Sequence, residues 1–201
     1  MMKRTLPPMD GPPTVLDLFD GVGNSWAPGL FVRTVTTTWD SWWIVGQCNG
    51  TSAAKTVKVE PSMLPIDISA GAPPPPPEAS SLCVLDIWGE RYLGGLNDHN
   101  EMVTAPVDAT LWRVWRMRPT PWVAGCDRHL SEGSFAIKRV AWAASTSASA
   151  AQQRGTLAVT LRGLTAEATH VRFTLPTPWK VHIIRIPAVI SSSTYNMCCS
   201  S

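Results

Sequence analysis

The sequence predicts an all-β chain folded as a two-sheet sandwich, and three observations carry the prediction. Short apolar or β-branched runs alternate with turn residues along most of the chain. Turn signals recur about every 8 to 15 residues, the rhythm of sandwiches. No stretch keeps an apolar stripe at helical spacing for the length of a helix.

Residues 1–13 hold four prolines and follow neither the helical nor the strand period, so they read as an extended arm of the kind that crosses subunit boundaries. Strand runs follow at 14–19, 30–38, 41–47, 54–60 and 65–69. Within the second, Thr34-Val35-Thr36-Thr37-Thr38 is β-branched throughout; such side chains lose rotamer freedom in a helix and pack well on a pleated surface. Pro73 to Pro77 removes five backbone donors and fixes φ near the polyproline value, which makes 70–78 a surface loop and a stiff connector. Further strand runs lie at 82–88, 111–117, 121–124, 134–142, 155–162, 169–175 and 179–190. The Ala, Ser and Gln stretch 145–153 reads as a loop, because Ser and Thr compete for backbone hydrogen bonds and no apolar face forms. Residues 14–190 are thus one sandwich domain, and 191–201 a flexible tail. A jelly roll, with about eight core strands in two Greek keys and long end loops, accommodates this length.

A chain of 201 residues can bury a core without metals or disulfides. Its net charge of +2 is too even to point to nucleic acid, a membrane surface or an acidic partner. Charged residues make up 16% of the chain against about 25% in ordinary domains, while Trp and Pro are abundant, so the surface inclines to association. No apolar run is long enough to span a bilayer. The start, Met1-Met2-Lys3-Arg4, runs into prolines rather than an apolar core, so Met1 is read as a translation start and no secretory signal is expected. The five cysteines lack CxxC spacing and read as free thiols, with the adjacent Cys198 and Cys199 in the tail. Asn49-Gly50-Thr51 matches a glycosylation sequon, but without a secretory route it reads as a Gly-containing turn.

Two aromatic constellations are candidate interface or binding residues. In the run 111–118, strand alternation sets Arg113 and Trp115 on one face and Trp112, Arg116 and Arg118 on the other. Trp and Arg in this pattern suit a subunit contact or a core, and less readily a platform on which single-stranded nucleic acid stacks. In Trp39-Asp40-Ser41-Trp42-Trp43, aromatic rings beside Asp and Ser suit a sugar-binding face, although Trp42 and Trp43 must point to opposite sides, so at least one is core. Trp26, Trp88, Trp122, Trp142 and Trp179 are scattered and read as packing anchors. Asp98-His99 and Cys126-Asp127-Arg128-His129 match no catalytic signature, and no second pair completes a metal site around Cys126 and His129. No catalytic residue, metal or cofactor is expected, and the chain is read as a non-enzyme.

The Pro-rich start, strand-dense middle, low charge and late run Gln153-Arg154-Gly155-Thr156-Leu157-Ala158-Val159-Thr160-Leu161-Arg162-Gly163 resemble the jelly-roll coat proteins of small icosahedral, picorna-like viruses. The resemblance implies a capsid or virion surface subunit, located in the virion or host cytoplasm, whose partners are copies of itself and other coat subunits. It brings no catalytic residues. The arm carries only Lys3 and Arg4, so contact with nucleic acid is expected to be weak or absent. A start at Met1 also departs from subunits released from within a polyprotein. The alternative, of a different class, is a carbohydrate-binding sandwich that meets a glycan or receptor through exposed Trp39, Trp42 or Trp43.

Overall fold

The computed structural model describes residues 14–17, 29–65, 82–126, 136–145, 154–161, 171–177, 180–185 and 194–200, and shows an all-β chain. The strands are β1 (Thr14–Asp17), β2 (Leu30–Thr36), β3 (Ser41–Asn49), β4 (Lys55–Lys58), β5 (Leu82–Asp86), β6 (Arg91–Gly95), β7 (Glu101–Thr104), β8 (Asp108–Arg116), β9 (Trp122–Cys126), β10 (Ile137–Ala144), β11 (Arg154–Leu161), β12 (Val171–Thr174), β13 (Lys180–Arg185) and β14 (Thr194–Ser200). A short 3-10 turn, Pro61–Met63, follows β4. The sequence reading takes 14–190 as one sandwich; the chain divides into two compact units between Met117 and Arg118.

The first unit is built on a six-stranded antiparallel sheet in the order β1-β2-β3-β8-β5-β6, with a two-stranded ribbon of β4 and β7. Its centre is the β3–β8 pair. Trp43 stands opposite Val114 and Val45 opposite Trp112, which fixes the faces of both strands. On one face, Leu30, Val32, Trp43, Val45, Val84, Trp112 and Val114 form a core closed by Val59, Leu64, Leu96 and Met102 with the partly buried Val57. The ribbon and the 3-10 turn thus cover this face as a second layer, which makes the unit sandwich-like. The opposite face carries Trp42, Ile44, Arg113, Trp115, Cys83 and Leu85, all buried as well. Burial on both faces explains why β3 reads as a near-continuous apolar run rather than an alternating one.

Some of the polar groups inside this unit are paired by hydroxyl and carboxylate side chains. Thr104 Oγ1 donates to Gln47 Oε1 at 2.6 Å and lies 2.9 Å from Thr110 Oγ1, joining the ribbon to β3 and β8. The tight entry to β3 is an Asp and Thr turn: the Asp40 amide donates to Thr37 Oγ1 at 3.0 Å, and the Ser41 amide to Asp40 Oδ1 at 2.9 Å.

The second unit holds a four-stranded sheet in the order β10-β11-β14-β13 and a two-stranded pairing of β9 with β12. β11 alternates buried and half-exposed residues, with Gly155, Leu157, Val159 and Leu161 turned inward. Residues 194–200, read from the sequence as tail, are a central strand instead: β14 pairs with both β11 and β13. The run Tyr195-Asn196-Met197-Cys198-Cys199 lacks a clear alternation, and its pairing is set by its two neighbours. The arm 1–13, the loop 70–78, Trp26, Asp127, His129 and Trp179 lie outside the described residues.

Two glycines are places where a ring crosses the backbone. Gly46 sits opposite Phe31, and Gly155 lies under Trp142; a Cβ at either would collide with the ring. Gly50, by contrast, has open space where its Cβ would be. Gly46→Ala and Gly155→Ala are therefore expected to lower stability by about 1–3 kcal/mol through overpacking, and Gly50→Ala to change it little, as measured by the denaturation midpoint in urea. Equal midpoints for all three variants would contradict the packing described.

Candidate functional site

The candidates predicted from the sequence fall into three groups. On one face of the central sheet, Trp42 and Arg113 come together because Arg113 pairs with Ile44, placing it diagonally beside Trp42, while Trp115 follows two residues along the same strand face. The Arg113 guanidinium carbon lies 4.2 Å from the Trp42 ring centroid and 5.6 Å from that of Trp115. Trp39, held by the turn before β3, extends the stack, its ring centroid 5.1 Å from that of Trp42. At the other end Tyr92 of β6 lies 6.1 Å from Trp115, centroid to centroid. The result is a continuous ladder, Trp39, Trp42, Arg113, Trp115, Tyr92, with one cation inside it. A desolvated cation over an aromatic face is stabilised by about 2 kcal/mol or more.

The second group is on the opposite face. Trp43 and Trp112 belong to the core beneath the ribbon, and Trp43 Nε1 donates to the Pro65 carbonyl at 3.1 Å. Arg116, half-buried at the end of β8, places its guanidinium 5.8 Å from the Trp43 ring. The alternation expected for 111–116 is therefore present, with Arg113 and Trp115 on one side and Trp112 and Arg116 on the other. Arg118 departs from it. β8 ends at Arg116, and Arg118 belongs to the second unit, where it stacks over Trp122 at 4.2 Å. The eight candidates therefore do not form one site.

Burial corrects the binding readings of these residues. Trp39, Trp42, Trp43, Trp112 and Trp115 are all buried, so none offers a ring face to a sugar or a nucleotide base in the folded chain. Among the described residues, the tryptophan in the exposed class is Trp88, 37% exposed in the turn between β5 and β6, which the sequence reading took as a packing anchor; Trp142 is half-buried. Tyr92, 53% exposed on the edge strand β6, is the one member of the ladder open to water. Tyr92 was not singled out from the sequence, because the segment Glu90-Arg91-Tyr92-Leu93-Gly94-Gly95 has two adjacent glycines and no alternation to mark it as a strand.

The chemistry of the ladder is that of packing. The indole N–H groups of Trp39, Trp42 and Trp115 are buried with no acceptor among the described residues, a cost of roughly 1–3 kcal/mol each. They sit where burial of large rings offsets that cost. Its solvent end has one titrating contact: the Tyr92 hydroxyl donates to Cys83 Sγ at 3.5 Å. Burial pushes the Cys83 thiol up, opposed in part by that bond. Tyr92 is pushed up to about 12, first by desolvation and then by its bond to and repulsion from Cys83.

The remaining sequence candidates are dispersed. Asp98 and His99 are exposed in a turn where both amides donate to the Gly95 carbonyl. Cys126 is buried in β9, and none of Cys48, Cys83 and Cys126 is in a disulfide. Among the described residues no three His, Cys, Asp or Glu side chains stand together to hold a metal, and no helix is long and apolar enough to cross a membrane.

A phenol kept neutral by the fold stabilises the native state below its ordinary pKa of about 10 and loses that contribution as pH rises through its folded value. Phenolate absorbance is thus expected to show one of the two tyrosines ionising near about 12, with the step abolished in Tyr92→Phe and lowered in Cys83→Ala. An ordinary midpoint for both tyrosines would contradict the contact. Compared with known proteins, the chain matches no family model, no curated protein and no solved structure.

Proposed function

We propose that the chain is a structural assembly protein, a capsid or virion surface subunit that joins copies of itself through apolar side-chain contacts. The observation that carries this reading is an inversion of roles among its large apolar residues. The clustered Trp and Arg residues close the core, while Trp88, Tyr92, Val103 and Val107 stand out from the same unit. Trp and Tyr are enriched in protein interfaces, where a wide ring loses little entropy on contact.

The placement of Val107 supports the same reading. It is 78% exposed, in the turn before β8, at φ 53°, a conformation that β-branched residues rarely adopt. Its amide is tied to the Thr51 carbonyl at 3.2 Å, so the turns before β4 and before β8 meet at one end of the sheet. The Ile87 amide, bonded to the Leu111 carbonyl at 2.9 Å, brings the Trp88 turn alongside β8 at that end. The loops there, Gly50-Thr51-Ser52-Ala53-Ala54 and Ala105-Pro106-Val107, carry no charge. These two loops meet another copy without the desolvation cost of buried ions, and the exposed Glu90, Arg91 and Asp108 flank them.

Strand-edge pairing is less suited to the contact than these side chains. β6, at one edge of the large sheet, is interrupted by a bulge at Leu93 and ends in two glycines, features that blunt an edge. The glycan reading finds no support, since the three Trp on which it rests are buried.

Light scattering of the purified chain in reducing buffer, over a wide concentration range, is expected to show species that grow with concentration. The double variant Trp88→Ser with Val107→Ser is expected to hold the chain at low mass with its fold intact. A wild-type chain that stays monomeric throughout would overturn the proposal.

A further inference from the structure

The sequon Asn49-Gly50-Thr51 holds the one Asn-Gly dipeptide of the chain, and its side chain is used far more heavily than a turn requires. Asn49 is 3% exposed at the end of β3. Its Nδ2 donates to the carbonyls of Ala53 at 2.8 Å, Ala105 at 2.9 Å and Thr104 at 3.2 Å, so two hydrogens are shared among three acceptors. Its Oδ1 accepts from the Thr51 amide at 3.0 Å and from Thr51 Oγ1 at 2.7 Å. One amide thereby ties together the turn before β4, the end of β7 and the end of β3. Gly50 beside it is exposed.

We propose that Asn49 is a fold-gated deamidation site: closed in the native chain, reactive once the turn before β4 opens, and incompatible with refolding after it has reacted. The reaction needs only water. The Gly50 backbone nitrogen attacks Asn49 Cγ, a C–N bond forms as the Cγ–Nδ2 bond breaks, and ammonia leaves carrying the Gly50 proton. Water then opens the succinimide ring to aspartate or isoaspartate. Glycine is the residue that least hinders the attacking nitrogen. In the native chain the attack requires Cγ to swing toward Gly50, which breaks the bonds at both ends of the amide together. The same bonds close the sequon, because a sugar on Nδ2 would take the place of the three carbonyls.

The product does not fit the site. An aspartate would present a buried carboxylate oxygen to three carbonyl oxygens and take the Nδ2 donor from each, leaving Ala53 the Thr51 hydroxyl at 3.0 Å. Isoaspartate would lengthen the backbone by one carbon at the point where Asn49 pairs with Asp108. Deamidation therefore turns a reversible opening into a one-way loss of the native pairing. The atoms bonded to the Asn49 amide are all backbone or hydroxyl groups, and the carboxylate of its register partner Asp108 accepts from the Ala109 amide at 2.8 Å.

The test compares the full chain folded in buffer with the same chain unfolded in guanidinium chloride, at one mildly alkaline pH and temperature. Conversion at residue 49 is followed by mass spectrometry of the peptide that contains it. Conversion is expected to be slower by at least about tenfold in the folded chain, since it must pass through local opening. After the denaturant is removed, the fraction that refolds is expected to fall in step with conversion in the wild type. It is expected to hold in Gly50→Ala, whose Cβ meets open space and whose nitrogen attacks more slowly. Equal rates in the folded and unfolded chains, or a deamidated chain that refolds with an unchanged midpoint, would overturn the proposal.

Discussion

The pairing of β3 with β8 is the constraint on which the larger unit depends. Both strands are buried on both faces across their middle, from Trp42 to Gln47 and from Leu111 to Trp115, so neither can serve as an edge. Their register is fixed because a slip by one residue would exchange Trp43 and Trp112 with Trp42 and Arg113 and send a guanidinium into the apolar layer under the ribbon. A charge in the middle of a buried strand therefore specifies a position. Trp42 and Trp115 supply the faces that hold it there. β2 and β5 then add on either side of the pair, and the ribbon closes one face.

The class of the fold was legible in the sequence because β-branched and aromatic runs between turns have few other ways to fold. β2, β3 and β5 fall within a few residues of where their apolar runs place them, and the alternation read into 111–116 holds residue by residue. β6, β7 and β14 were not legible. Arg91-Tyr92-Leu93-Gly94-Gly95 has the composition of a turn, Glu101-Met102-Val103-Thr104 is too short to show a period, and Tyr195 to Cys199 takes its strand conformation from two neighbours. Such strands are made by tertiary context, to which local propensity is blind.

The candidate residues were legible as a cluster but not in their exposure. Trp beside Arg, Asp and Ser reads equally as a surface platform and as a polar-edged core, because alternation assigns faces without saying which face meets water. Once both faces of β3 and β8 are buried, the ladder becomes internal, and attention moves to Trp88, Tyr92 and Val107 at the rim. Asn49 shows the same limit. As sequence it is a turn and a sequon; as structure it is the polar knot between β3, β7 and the turn that joins β3 to β4. A chain with few charges thus places its polar side chains where they join elements, and leaves large apolar ones at the margin.

The most direct test of the central pairing is amide hydrogen exchange read residue by residue. If β3 and β8 are the centre of the sheet, the amides of Ile44, Val45, Trp112 and Val114 will exchange only through global unfolding, with protection that falls in parallel with stability as denaturant is added. Those of the edge strand β6 will exchange through smaller openings. Exchange at β3 and β8 as fast as at β6, and insensitive to denaturant, would contradict the account.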